Sequence, residues 1–86
     1  MIYGRFGDPV DIVRRGTLED VKTLDKRRPD KHDRENVERG GYVVVRQDDG
    51  AEVLYHLAFL RADDGIAEID AAIAVATAAS IVSEDA

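Results

Sequence analysis

No cysteine occurs among the 86 residues of this chain. Its absence excludes disulfides, thiolate zinc sites, iron–sulfur clusters and cysteine nucleophiles together. A secreted domain this short is usually stapled, because a small chain buries too little surface to rely on its core alone. A reducing, cytoplasmic setting is therefore expected. Tryptophan is also absent, and only Tyr3, Phe6, Tyr42, Tyr55 and Phe59 are aromatic, so the core must be mainly aliphatic. The opening segment Met1–Pro9 has no basic run ahead of an apolar one and does not read as a signal peptide. The longest apolar run, Ala71 to Ala79, is broken by Thr77 and is mostly alanine. It is too short and too weakly apolar to span a bilayer, and no membrane partner is expected.

Positive charge is scarce in the second half. Residues 47–86 set Arg61 against nine acids, whereas residues 1–46 carry 11 basic and 9 acidic side chains, for a net charge of −6 over the chain. Non-specific nucleic-acid affinity comes from neutralising phosphates, so nucleic acid is not expected as a partner of the chain as a whole. With 44% hydrophobic and 35% charged residues the composition is that of a folded globule. Arginine outnumbers lysine, and alanine and aspartate are abundant, as in high-GC bacterial coding sequences.

The clearest structural signal lies between Gly41 and Ile69. Tyr42–Arg46 is short and β-branched, Asp48-Asp49-Gly50 is a turn, and Glu52–Arg61 is a second apolar run. With Gly50 in the left-handed position, Arg46 faces Glu52, Val45 faces Val53 and Val43 faces Tyr55. Asp63-Asp64-Gly65 repeats the turn pattern and predicts a third strand through Ile69, pairing Arg61 with Glu68. The central strand 52–61 is then buried on both faces. Upstream, Met1–Phe6 and Val10–Arg14 read as strands joined at Gly7-Asp8-Pro9. Thr17 reads as a helix N-cap followed by acids, with Leu18, Val21 and Leu24 on one stripe and Pro29 closing the stretch. A second short helix from Asp30 stops at Gly40-Gly41 and, with Val37 its one aliphatic residue, is expected at the surface. Asp70 reads as the N-cap of an alanine-rich helix to Val82. Ile69, Ile73, Ala76 and Ser80 line one stripe of it, and Ala72, Val75, Ala79 and Val82 a second. The chain thus reads as a single α+β domain over 1–82 with a frayed end at 83–86. It has a small antiparallel sheet of about five strands, one or two short helices in 17–39 and a C-terminal helix.

Catalytic inventory is thin. Ser80 and Ser83 lie in the tail, no histidine stands at a recognisable spacing from a hydroxyl, and no catalytic residue is assigned. His32 sits in a charged stretch, while His56 is mid-strand and is expected to bond a neighbour such as Tyr42 across the hairpin. The two Asp-Asp-Gly turns lack the alternating acids and distant glutamate of a calcium loop, and no glycine-rich phosphate loop occurs. No metal or cofactor is expected. Two candidate surfaces remain. Arg14, Arg15, Lys26, Arg27, Arg28 and Lys31 could grip an anion or partner, although acids interleave with them throughout. Tyr42, Tyr55 and His56 form a candidate ligand face.

The order of strands and the hairpin Tyr42–Arg46 with Val53–Arg61 resemble small SH3-like or Tudor-like barrels, over about half the chain. The resemblance implies a partly open barrel and transfers no site residue. The expected function is a small non-enzymatic module that binds a protein partner, with the surplus apolar stripe of the C-terminal helix suited either to a homodimer or to tight packing on the sheet. Two alternatives stand beside it: a nucleic-acid-associated regulator using Arg14 to Arg39, and a small-molecule-binding or enzyme-accessory subunit.

Overall fold

The computed structural model describes residues 1–85, with side-chain environments for residues 1–78. Along the chain run β1 (Ile2–Tyr3), β2 (Asp11–Arg15), α1 (Leu18–Thr23), α2 (Lys31–Glu38), β3 (Tyr42–Arg46), β4 (Glu52–His56), a 3-10 turn (Leu57–Phe59), β5 (Arg61–Ala62) and α3 (Ile66–Asp85). The architecture is α+β, with two antiparallel sheets and three α-helices. β2, β3 and β4 form one sheet in that order, and β1 pairs with β5 in the other. Among the described residues the strands do not close into a barrel. No described helix is long and apolar enough to cross a membrane.

The β3–β4 hairpin has the expected register: Arg46 opposite Glu52, Val45 opposite Val53 and Val43 opposite Tyr55. Gly50 takes φ +86° and donates its N–H to the Gln47 carbonyl, a turn conformation that side chains resist. The remainder of the expected meander is different. The strand expected over 52–61 ends at His56, because its partner runs out: Leu57 makes the last ladder bond, to the carbonyl of Gly41 (2.8 Å). The chain then folds into the 3-10 turn, capped by the His56 ring, whose Nδ1 accepts from the Ala58 N–H (3.0 Å). Arg61 consequently pairs with Tyr3 of β1 and not with Glu68. After Gly65 the chain enters α3 directly, four residues ahead of Asp70, so Asp70 is not its N-cap. Both Asp-Asp-Gly segments are turns, and the apolar spacing beyond each one selects strand or helix. Val53 and Tyr55 alternate on a strand, whereas Ile66, Ile69 and Ile73 recur at helical spacing.

The strand covered on both faces is β3. Its Val43 and Val45 face a core with Ile2, Val10, Leu60, Ile69 and Ile73, under α3 and the small sheet. Its Tyr42 and Val44 face a second core with Val21 and Leu54, under α1 and α2. Burying each of these valines contributes about 1.5–3 kcal/mol. β2 carries a bulge between Ile12 and Arg14, so Ile12 lies opposite Val45 and Arg14 opposite Val44. The bulge turns Arg14 toward α1.

Each short helix starts with a reciprocal capping box. The Thr17 side chain accepts from the Asp20 N–H while Asp20 accepts from the Thr17 N–H (2.8 Å). Asp30 and Asp33 do the same at α2 (3.0 and 2.8 Å). Such a cap is worth about 1 kcal/mol. α1 is shorter than the stretch to Pro29, its last turn closing at Leu24. α2 ends where Gly40 takes φ +69°. In α3, Ile69 and Ile73 are buried and Ala72 partly so, but Val75 of the second stripe is 70% exposed. Ala86 and the side chains of Ala79, Ser80 and Val82 lie outside the described residues.

Candidate functional site

Two aspartates that the charge pattern places on the surface are buried. Asp33 is 2% exposed and Asp20 4% exposed. Each occupies the third position of its helix and draws in an arginine. Arg27 forks onto Asp33 through two 2.7 Å hydrogen bonds. The Tyr42 hydroxyl donates to the same carboxylate (2.7 Å) and accepts from the Asn36 amide (3.3 Å). Arg27 also reaches Asp25 (3.3 Å). Arg14 pairs with Asp20 through a single guanidinium nitrogen, on the oxygen that also accepts from Thr17.

The electrostatics are set by this geometry. Hydrogen bonds from Arg27, with help from the Asp30 N–H and Tyr42, overcome burial and hold the Asp33 carboxyl well below the usual carboxylate range. Burial pushes Asp20 up, but the hydrogen bonds from Arg14 and Thr17 outweigh it, so this carboxyl also lies below its ordinary value. Burial raises the Tyr42 hydroxyl, and its bond to the Asp33 carboxylate acts in the same direction.

A cleft of about 410 Å³ opens beside this network. Arg27, Asp25 and Tyr42 line one part of it, Arg5, Tyr55 and Phe59 another, and Leu54 and His56 of β4 lie with them. The three residues of the candidate ligand face therefore share one cleft. His56 does not hydrogen-bond Tyr42; the rings meet edge to face at 5.9 Å, and His56 meets Phe59 at 6.5 Å. Nδ1 accepts the Ala58 N–H, which leaves the ring proton on Nε2.

Of the six basic candidates only Arg27 lines this cleft. Arg14 lies at α1 on Asp20, and Arg15 donates to the Gly40 carbonyl (3.2 Å). Lys26, Arg28 and Lys31 are exposed on the α1–α2 connection and the first residue of α2. Four cleft residues were not singled out as candidates by sequence pattern: Arg5, Asp25, Leu54 and Phe59. The neighbouring Phe6 is 80% exposed and Phe59 47% exposed. The Arg5 guanidinium lies over both rings, 5.7 Å from the centre of Phe6 and 5.1 Å from that of Phe59. The strand expected over Met1–Phe6 ends at Tyr3 and the chain turns after Gly4, so Phe6 has no strand to carry it inward.

A larger depression of about 670 Å³ lies at the hairpin end, where Asp11, Arg46, Asp48 and Glu68 mix their charges. Among the described residues no three His, Asp or Glu side chains are placed to hold a metal. Comparison with family models, curated proteins and solved structures returns no match for the chain.

Proposed function

We propose that this chain is a small, non-catalytic cytoplasmic module that docks a partner protein on the face formed by Arg5, Phe6, Phe59 and the cleft beside them. The observation that carries the proposal is the exposure of Phe6 and Phe59 around one stacked arginine. Aromatic residues and arginine are the side chains most enriched at the energetic centre of protein interfaces. Covering each ring supplies up to about 2 kcal/mol. The paired state of Arg14 and Arg27 speaks for this face over the arginine segment as the docking surface, since both charges are already met by buried carboxylates.

A photo-cross-linking residue at position 6, compared with one at Lys22 on exposed α1, tests the assignment. Position 6 should capture a discrete partner that the Phe6→Ala/Phe59→Ala variant no longer retains. Equal capture from both positions, or full retention by the double variant, would overturn it. The exposed Val75 (70%) on α3 favours a second use, contact with another copy of the chain. Light scattering on Val75→Asp tests that use, a dimer falling to monomer being the supporting result.

A further inference from the structure

We propose that the outer edge of β4 takes up an extended segment of the partner protein as an added β-strand, with an acidic side chain of that segment held by Arg5. This rests on the docking face described above and specifies how that face is used.

The hydrogen-bond phase of the hairpin carries the argument. At one end Gln47 donates to the Ala51 carbonyl (2.9 Å), and at the other Leu57 donates to Gly41 (2.8 Å). Bonded and non-bonded pairs alternate along an antiparallel ladder. With Val45 opposite Val53 and Val43 opposite Tyr55, Val53 and Tyr55 direct their backbone groups to β3. Those of Glu52, Leu54 and His56 point away. β4 is the last strand of its sheet. Among the described residues nothing bonds the N–H groups of Glu52, Leu54 and His56, or the carbonyls of Glu52 and Leu54. β4 carries no proline and no bulge, two of the usual guards against strand pairing.

The 410 Å³ cleft is lined by Leu54, Tyr55 and His56 of this strand. It draws Tyr55 from one face of β4 and Tyr42 and Leu54 from the other, as a groove over a strand edge must. Charge selects the occupant. Arg27 is met by Asp33 and Asp25. Arg5 sits on its two rings, and no described carboxylate comes within ion-pair distance of it. An extended peptide that brings a carboxylate to Arg5 completes the site, while its backbone meets the free groups of β4. A second copy's β4 is walled by the same residues, so two such edges meet wall to wall, whereas a single extended chain fits between the walls.

The test is selection of peptides from a random dodecapeptide display library on the full chain. The tightest peptide should alternate acidic and apolar residues and lose about tenfold or more in affinity against Arg5→Glu. N-methylation of every second residue should cost about tenfold in one phase and little in the other. Hydrogen exchange should slow at Leu54 and His56 on binding. A selected peptide that needs Phe59 but tolerates N-methylation in both phases overturns strand addition and leaves the docking face intact. A library that yields no binder overturns both. Slow exchange at Leu54 and His56 in the free protein, with a dimer by light scattering, assigns the edge to a second copy and overturns the peptide proposal.

Discussion

Replacing Asp33 by alanine removes a carboxylate on which four hydrogen bonds converge: two from Arg27, one from the Tyr42 hydroxyl and one from the Asp30 N–H. The cost divides by exposure. Arg27 is 42% exposed and regains water, so its share stays below about 1 kcal/mol. Tyr42 is buried at 9% exposure, and its hydroxyl hydrogen loses its acceptor, worth about 1–3 kcal/mol. Loss of half the capping box adds about 1 kcal/mol. The sum is about 3 kcal/mol, a large share of the roughly 4–13 kcal/mol that a chain of this size commands. The melting temperature should fall by roughly 12–24 °C, read by circular dichroism during heating and checked by urea titration. The same substitution made on Tyr42→Phe should cost about 1–2 kcal/mol less, since no hydroxyl is then stranded. A loss under about 1 kcal/mol, or strict additivity with Tyr42→Phe, would refute the reasoning.

Three further outcomes are expected from the same structure. Asp33 and Asp20 both have lowered carboxyl values when folded, so their contribution is present above the unfolded value near pH 4 and is lost as pH falls through the folded values; urea midpoints should drop below about pH 4, and less steeply in Asp33→Asn. Gly16→Ala should cost about 1–3 kcal/mol in denaturant titration, because its Cβ would lie 2.6 Å from Leu54 Cδ1 and 2.7 Å from Tyr42 Cβ. Val44→Ala, fully buried, should cost about 2 kcal/mol, while Val75→Ala, 70% exposed, should stay within about 0.5 kcal/mol. A larger, concentration-dependent loss at Val75 in sedimentation would show that α3 is covered by another copy.

Local chemistry was legible in the sequence wherever neighbouring residues suffice to specify it. Asp-Asp-Gly sets a turn because glycine reaches positive φ, and the length of that loop, with Gly50 left-handed, sets the hairpin register. Thr17 and Asp30 mark helix starts because their side chains reach backbone N–H groups three residues on. Lack of cysteine closed off whole classes of chemistry. The nearness of Tyr42, Tyr55 and His56 was also legible, since the hairpin register sets Tyr42 opposite His56 and Val43 opposite Tyr55.

What only the tertiary structure decided is where elements stop and which surfaces meet. β4 ends at His56 because β3 begins after Gly40-Gly41 and offers nothing further to pair with, a fact about the partner strand. β5 joins β1 across some sixty residues, a contact that no local pattern encodes. Asp33 resembles the other acids of a charged stretch, yet the packing of α2 over Tyr42 buries it and gives Arg27 its role. The exposure of Phe6 and Phe59, and the open edge beside them, likewise depend on what the remaining chain leaves uncovered. Turn and cap preferences act over three or four residues, whereas burial is a property of the whole assembled surface.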